Sequence, residues 1–414
     1  MKINKADESR ARAREENQLI GTGKKFNNKP VYFPAVNRVS IVRCPDYSDT
    51  KKAVAEALEL LGGLEKIIQP GDRVLLKPNI LAASYPESAV TTHPSVVASM
   101  CEFVIQAGGK PIVGDGAGIS RPGATSKALK TSGIEEAARK AGAKVVNFET
   151  SGFTLVDVPD SLQFRKLYVA NPVLEADVVI SLPKLKTHEL THYTGAVKNF
   201  FGVLPLRCRK EAHLLGKRDL FGEAVADIYS VVRPAFAVMD GVVGMEGNGP
   251  SHGKPVNSGV ILASQDCVSL DIVAAEMIGF EPLRIPTTAG AMKKGFGNQC
   301  PVVVGAPLKE VKMKFKPSSG GVSTAPSFLT RTLGKYYKIY PRINRRKCTH
   351  CGACYLNCSP HAIEKLEDGS YRINQEKCIL CYCCRELCPS NAVEIKKSLL
   401  AKLMTEKNNL IRKT

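Results

Sequence analysis

Two cysteine runs of identical spacing are the residues of this chain best suited to chemistry. The chain has fourteen cysteines, and nine of them fall between Cys348 and Cys388. The runs CTHCGACYLNC and CILCYCCRELC both read C-x2-C-x2-C-x3-C, and the second begins 30 residues after the first. Disulfide scaffolds are typical of short secreted chains, whereas clustered thiolates in a long chain indicate metal binding.

This spacing is typical of bacterial-type two-cluster ferredoxins, in which three thiolates of a tight loop bind one [4Fe-4S] cluster and the fourth binds the other. It predicts two [4Fe-4S] clusters. The ligands of the first are Cys348, Cys351, Cys354 and Cys388, and those of the second are Cys378, Cys381, Cys384 and Cys358. Two complete runs exceed the four thiolates of a zinc knuckle, which disfavours zinc. The ninth cysteine, Cys383, is interpreted as a bystander.

A second candidate for metal chemistry is His188-Glu189-Leu190-Thr191-His192, which matches H-E-x-x-H inside KTHELTHYTGAVKNFFG. On a helix this pattern binds zinc through two imidazoles, with the glutamate as general base. The surrounding threonines are poor residues for a helix interior. We expect a helix to begin only near Thr194, with both histidines in the loop before it. A zinc protease is therefore disfavoured, and an anion site at that helix N-terminus, flanked by lysines, is the competing interpretation.

The elements that position these residues alternate along the chain. Strand-like runs such as RVSIVRC (38–44), DRVLLKPNI (72–80) and KPIVGDG (110–116) are separated by helix-like runs such as 93–109 and 220–232. The alternation predicts an α/β class: a mostly parallel, Rossmann-like sheet domain followed by a small α+β ferredoxin-like domain. The segments FTLVDV and RKLYVA are expected to form an antiparallel hairpin at an edge of the sheet.

Polar side chains follow several of the predicted strands at their carboxyl ends, where open α/β sheets bind ligands. Lysines at such ends suit a phosphate or a carboxylate, and aspartates suit a metal ion or a polar substrate. The residues placed there are Lys77, Asn79, Asp115, Lys184, Lys186, His188, Asp240 and Asp266. Each of them taken singly also has a purely structural interpretation.

Several spaced motifs resemble one family. The motifs PGDRVLLKPNI, TTHPSVV, GGKPIVGDG, ADVVISLPKLKTH with TGAVKNFFG, and VMDGVVGMEGNGP with ASQDCVSLD are similar to the domain of unknown function 362, whose members often carry a ferredoxin-like iron–sulfur domain. The resemblance spans about 36–305 and implies an iron–sulfur protein without implying a reaction. In the family pattern His188, Lys198 and Asn199 belong to the motif, which implies that Glu189 and His192 are incidental.

The predicted domain organisation has five parts. It comprises a polar basic arm over 1–35, the α/β domain over 36–314, a linker over 315–343 rich in glycine, serine and proline, the ferredoxin domain over 344–396, and a basic amphipathic tail over 397–414. The first segment lacks the apolar core of a secretory signal, and no run is long enough to span a bilayer. A cytoplasmic protein is expected, with peripheral membrane contact left open.

The formal net charge of +19 indicates an acidic partner or an anionic substrate. No nucleic-acid-binding signature accompanies it, so no nucleic acid is expected.

The leading hypothesis is an iron–sulfur protein in which electron transfer is coupled to an α/β domain that binds or transforms a small anionic substrate, with oxidoreductase activity left open. Lys184, Lys186 and His188 are the candidate catalytic residues. Lys77, Asn79, Asp115, Lys198, Asn199 and Asp240 are the candidate substrate-binding residues. An electron donor or acceptor protein is the expected partner. The alternatives are an electron carrier or redox sensor without chemistry of its own, and a non-redox enzyme with structural clusters.

Overall fold

The structure is a computed structural model that describes residues 37–118, 123–318 and 339–398. The predicted arm over 1–35, most of the predicted linker and nearly all of the predicted tail lie outside these residues. Within them, no helix is both long and apolar enough to cross a membrane.

Of the strands in the described residues, ten build the main sheet, two form a separate hairpin and four belong to the C-terminal part. The strands of the first two groups are β1 Arg38–Arg43, β2 Arg73–Pro78, β3 Lys110–Asp115, β4 Lys144–Asn147, β5 Phe153–Asp157, β6 Lys166–Ala170, β7 Val178–Leu182, β8 Lys184–His188, β9 His192–Tyr193, β10 Phe236–Glu246, β11 Lys254–Ser264 and β12 Val302–Gly305. The C-terminal strands are β13 Ile339–Ile343, β14 Ile363–Lys365, β15 Tyr371–Ile373 and β16 Val393–Lys397.

The helices lie mainly between strands of the sheet. They are α1 Thr50–Glu59, α2 Pro94–Gln106, α3 Ala124–Thr131, α4 Ile134–Lys140, α5 Asn171–Glu175, α6 Gly195–Asn199, α7 Leu206–Leu214, α8 Arg218–Val232, α9 Cys267–Met277, α10 Pro286–Lys293 and α11 Leu308–Val311, followed by α12 Ala353–Leu356 and α13 Cys383–Glu386 near the cysteine runs.

The main sheet has the strand order β12-β1-β11-β10-β7-β2-β3-β4, with β8 pairing along β10 and β9 pairing with β8. Only the β1–β11 and β10–β11 neighbours along this order are antiparallel. Helices cover both faces, so β2 buries alternate residues on opposite sides: Leu75 packs with α8 and α9, whereas Val74 and Leu76 pack with α1 and α2. Burial on both faces explains why such strands are continuous apolar runs. The prediction of a mostly parallel α/β sheet is confirmed.

The predicted hairpin forms, but its predicted place is wrong. Strands β5 and β6 pair antiparallel from Phe153 opposite Ala170 to Asp157 opposite Lys166. They form a separate two-stranded sheet and add no strand to the edge of the main one. Leu167 and Val169 instead pack into the core beside α6 and α8.

Both ends of the predicted linker belong to folded parts of the chain. Phe315 is buried in the core of the α/β domain. Residues Ile339–Ile343 form β13, which pairs antiparallel with β16. The two short sheets of the C-terminal domain enclose a core of Ile343, Ile363 and Ile373 together with cysteine side chains. The linker is therefore shorter than the sequence predicts, because apolar residues at both of its ends are drawn into the neighbouring cores.

Candidate functional site

A cavity of about 110 Å³ lies where the α/β domain meets the C-terminal domain. One wall comes from the carboxyl ends of β2 and β3 and from the chain after β7, as expected for an open α/β sheet. The other wall comes from the cysteine loops, through Asn357, Ser359, Cys383, Glu386 and Leu387. Seven of the predicted site residues line it: Lys77, Asn79, Asp115, Lys186, His188, Lys198 and Asn199.

A buried polar network forms the floor of the cavity. Lys77 Nζ lies 2.6 Å from Asp115 Oδ1 and donates to Asn199 Oδ1 at 3.3 Å. Asn199 also accepts from Asn79 Nδ2 and donates to the Lys77 carbonyl oxygen at 2.9 Å. Burial lowers the pKa of Lys77, and the charge of Asp115 opposes that change. Since Lys77 and Asp115 neutralise each other, this floor contributes hydrogen-bonding groups but little net charge.

Gly202 is required at this floor by close approach. A Cβ at this position would lie 2.4 Å from Asp115 Oδ1 and 3.1 Å from Lys77 Nζ. The glycine that ends the motif GAVKNFFG therefore lets the backbone pass directly against the ion pair.

Two further lysines give the cavity positive charge. Lys186 is 1% exposed, and within the part of the chain that the structure describes its Nζ has one hydrogen-bond partner, the Val90 carbonyl oxygen at 2.6 Å. Lys198 is half-buried and places its Nζ 5.7 Å from the centre of the Phe201 ring. Burial and then the charge of Lys198 hold the pKa of Lys186 well below its usual range, while burial lowers the pKa of Lys198. An anion bound between them would relieve both effects.

His188 presents a single defined nitrogen to the cavity. Its Nδ1 accepts from the backbone N–H groups of Leu190 and Thr191 at 3.1 and 3.4 Å. The proton of the neutral ring is therefore on Nε2, which lies 3.5 Å from Glu386 Oε1. Burial and the neighbouring lysines keep the pKa of His188 well below its usual range. The ring is thus a neutral hydrogen-bond donor, and burial raises the pKa of Glu386 to about 7.

Lys184 and Asp240 lie together but outside this cavity. Their side chains are fully buried, with Lys184 Nζ 2.7 Å from Asp240 Oδ2 and 2.8 Å from the Tyr47 hydroxyl. Asp240 also accepts from the His93 backbone N–H, and the Tyr47 and His93 rings stack at 3.5 Å. Each side chain of this network has a hydrogen-bond or ion-pair partner within the α/β domain, so the geometry indicates a structural role for Lys184 and Asp240. Their predicted catalytic and substrate-binding roles stay predictions.

The predicted anion site at a helix N-terminus is wrong, because a carboxylate of the chain already occupies it. Helix α6 begins at Gly195, as expected, and its Ala196 and Val197 N–H groups donate to Asp271 at 2.6 and 3.0 Å. Gly195 has a φ of +68°, and a Cβ there would lie 2.5 Å from the same carboxylate. Any anion in the cavity would therefore have to be held by side chains.

The H-E-x-x-H residues are not helical. His188 ends β8, His192 lies opposite it on β9 with a φ of +66°, and a tight turn joins them. The expected loop is thus a two-stranded ladder, and the rejection of a helical zinc site stands.

Glu189 does not line the cavity, but it forms a buried ion pair. Its buried carboxylate lies 2.5 Å from Arg385 of the second cysteine loop, and the Arg385 carbonyl oxygen lies 3.0 Å from His252 Nε2. This buried ion pair joins the C-terminal domain to the α/β domain beside the cavity.

Six of the eight cysteines of the two runs lie in or against the core of the C-terminal domain: Cys348, Cys354, Cys358, Cys378, Cys384 and Cys388. Burial, and then the neighbouring thiols of Cys388, Cys348 and Cys351, raise the pKa of Cys354 to about 11. Burial and then the neighbouring thiols of Cys381, Cys378, Cys354 and Cys358 raise the pKa of Cys384. Cys381 is also a charged neighbour of both Cys358 and Cys378. The fourth cysteine of each run thus lies with the first three of the other.

The backbone conformation of the first cysteine loop recurs in the second, 30 residues later. This repeat indicates that both loops are shaped to bind the same kind of cluster. Left-handed φ angles of about +50° to +73° recur at His350 and Leu380, at Gly352 and Tyr382, and at His361 and Asn391. A backbone N–H reaches the sulfur of Cys358 and of Cys388 at 3.2 Å in both halves. Thiolates that receive N–H bonds in matched loops suit iron–sulfur ligation.

Three residues of the site were missed by the sequence reasoning. Arg209 donates to the carbonyl oxygens of Leu204, Gly116, Ala117 and Gly202. Because these acceptors are uncharged, they hold the guanidinium at the cavity wall without neutralising its charge. His213 lies beside it, and burial lowers the pKa of His213 to about 3. Cys383, taken for a bystander, also lines the cavity. The only signal was the basic segment RCRKEAHLLGKRD, which has no recognisable motif.

Two family models match separate parts of the chain. The family model "Domain of unknown function (DUF362)" matches residues 74–276, and the model "4Fe-4S dicluster domain" matches residues 347–392. The C-terminal segment is therefore a site of 4Fe-4S cluster binding.

The similar proteins include a curated relative and a solved structure. The thylakoid-associated protein sll1697 of Synechocystis is 34% identical over 264 residues, which is 63% of this chain and 80% of that protein. The lactate racemase apoprotein from Thermoanaerobacterium thermosaccharolyticum matches with a TM-score of 0.38 at 14% identity, over 60% of this chain and 58% of its own.

Proposed function

Because this chain belongs to the family of the domain of unknown function 362 and carries a C-terminal 4Fe-4S dicluster domain, we propose that it is an iron–sulfur oxidoreductase acting on a small anion. The observation that carries the proposal is the position of the cavity. Buried cationic side chains form one wall, and residues of the second cysteine loop form the other. The two [4Fe-4S] clusters, held by the cysteine sets described above, would supply single electrons at that wall.

The charges of the lining residues define the class of substrate. The charges of Lys77 and Asp115 cancel each other. Glu386 is the other carboxyl group of the lining, and the basic side chains of Lys186, Lys198 and Arg209 also line the cavity. An anion is therefore the ligand that satisfies the cavity, and Lys186 has donors to spare for it. The neutral His188 ring would donate a hydrogen bond from Nε2. A cavity of about 110 Å³ is smaller than pockets for drug-sized ligands, which favours an inorganic oxyanion or a short carboxylate.

Direct binding of small anions tests the proposal. Phosphate, sulfate, acetate and oxalate would be titrated calorimetrically into the anaerobic, cluster-loaded protein. At least one is expected to bind, and Lys186→Met should weaken its binding about tenfold or more, because a charged hydrogen bond contributes about 1.5–3 kcal/mol. The matched control is Lys254→Met at an exposed lysine outside the cavity, which should bind as the unchanged chain does.

A second readout separates an enzyme from a carrier. Binding of the anion should perturb the electron paramagnetic resonance spectrum of the reduced protein, because the cavity adjoins the second cysteine loop. If none of the four anions binds, or if Lys186→Met and Lys254→Met behave alike, the proposed site is wrong and the alternative of an electron carrier without its own chemistry is favoured.

Anion binding should also take up protons. The pKa of Lys186 is held low by burial and by Lys198 and Lys184. A bound anion raises that pKa, so any fraction of Lys186 that is neutral in the free protein gains a proton on binding, and affinity falls as pH rises between the two pKa values. Titrations in buffers of different ionisation enthalpy would measure this uptake, and Lys186→Met should reduce it. Affinity that rises with pH would contradict the assignment.

A further inference from the structure

Cys383 has a defined position that the two cysteine runs leave unexplained. Each run is complete without it, yet it is buried at the start of α13 and lines the cavity. A ligand atom of Cys383, one of Cys381 and one of His213 all lie within 4.8 Å of one another. The histidine comes from α7 of the α/β domain, so the group spans the junction of the two domains.

The His213 ring is held in place by its aromatic neighbours. Its ring stacks on Phe221 with centroids 4.8 Å apart and meets Phe201 edge-on at 5.5 Å. Within the described residues its Nδ1 is buried and has no hydrogen-bond partner. A buried ring nitrogen is costly to leave without a partner. A packed imidazole with such a nitrogen beside two thiol groups points to a bound metal ion.

The donor set and its spacing suit one metal ion. Metal–sulfur and metal–nitrogen bonds of about 2.3 and 2.0–2.1 Å put tetrahedral ligand atoms roughly 3.5–3.8 Å apart, so each pair needs to approach by about 1.3 Å at most. Thiolate and imidazole together favour late first-row ions such as Zn²⁺, Co²⁺ or Ni²⁺. Cys381 belongs to the set predicted to hold the second cluster, and a thiolate has lone pairs enough to bridge two metals.

We propose that Cys383 and His213, with Cys381 as a shared thiolate, bind a single late first-row divalent ion beside the second iron–sulfur cluster. Three protein ligands leave a fourth position free, which is the arrangement of catalytic rather than structural sites. Because Cys383 and His213 both line the cavity, that position is available to a molecule held by Lys186 and Lys198. The metal site goes beyond the proposed function and does not depend on which anion binds.

The test uses the full chain, reconstituted anaerobically with iron and sulfide and then titrated with Co²⁺. About one Co²⁺ per chain should bind and give the intense cobalt–thiolate absorption. Cys383→Ser and His213→Gln should each weaken Co²⁺ binding about tenfold to a hundredfold and leave the iron content unchanged. Cys300→Ser, at an exposed cysteine away from the runs, is the control and should bind normally. Co²⁺ should also alter the electron paramagnetic resonance spectrum of the reduced clusters in the unchanged chain and in Cys300→Ser. It should leave that spectrum unchanged in Cys383→Ser and His213→Gln.

Two outcomes would overturn the proposal. If Cys383→Ser binds Co²⁺ as the unchanged chain does, the site does not exist. If Cys383→Ser loses iron, Cys383 is a cluster ligand instead. Should His213→Gln fail to fold, Cys383→Ser still decides. Failure of the anion titrations would leave these measurements unaffected, so the two proposals can fail separately.

Discussion

Replacement of Cys358 by alanine is expected to lower the iron content from about eight to about four irons per chain. Cys358 ends the first run, but its side chain lies with Cys378, Cys381 and Cys384 of the second. Its loss should therefore destroy the cluster of the second run and spare that of the first. The measurement is iron and labile sulfide analysis of anaerobically purified protein.

Pairs of substitutions sharpen this prediction. Cys358→Ala combined with Cys384→Ala should lose no more iron than either change alone, because both residues serve one cluster. Cys358→Ala combined with Cys354→Ala should lose nearly all of it, although these two residues belong to the same run. Cys300→Ala is the matched control and should keep full iron content. If the 358/354 pair retains half the iron, each run binds its own cluster and the cross-ligation is wrong.

Replacement of Glu189 by leucine is expected to destabilise the attachment of the C-terminal domain by about 3–5 kcal/mol. The change leaves the charge of Arg385 buried without the carboxylate that lies 2.5 Å from it, with side chains only 1% and 8% exposed. Denaturation by urea, followed both by far-ultraviolet circular dichroism and by cluster absorbance, would measure the loss. Oxygen should also bleach the clusters of this variant faster.

An exposed pair of the same chemistry supplies the control. Arg43 and Glu310 lie 2.9 Å apart with side chains 59% and 49% exposed, so Glu310→Leu should cost about 1 kcal/mol or less. Adding Arg385→Met to Glu189→Leu should recover much of the loss, because apolar side chains often replace a buried ion pair at little cost. Equal effects of Glu189→Leu and Glu310→Leu would mean that the buried pair does not hold the domains together.

Local patterns were enough to predict the elements of the fold. Apolar runs such as RVSIVR and RVLLKP form strands because both of their faces are buried, and the position of Lys77 and Asp115 at strand ends follows from the chain direction. The order of the strands and the separation of the β5–β6 hairpin from the main sheet could not be predicted. They depend on which apolar faces pack together across long stretches of chain.

The candidate site was also predictable only in its local features, because its long-range contacts are not written in any local pattern. Lys186 and Lys184 are two residues apart on one strand and both looked like ligand-binding residues, but the fold buries Lys184 against Asp240 and places Lys186 in the cavity. The N-terminus of α6, which was predicted to bind an anion, instead donates its backbone N–H groups to Asp271. Such outcomes depend on partners that are distant in sequence.

The sequence by itself determined the iron–sulfur chemistry, because the spacing of thiolates around a cluster is a local property of two short loops. It also determined the layered α/β architecture, because hydrophobic periodicity is local as well. Only the tertiary structure decided that the second cysteine loop faces the sheet, that Glu189 holds it there, and that Arg209, His213 and Cys383 share one cavity. The contacts between the two domains join residues more than a hundred positions apart, and their energies arise from burial and charge pairing in the folded chain.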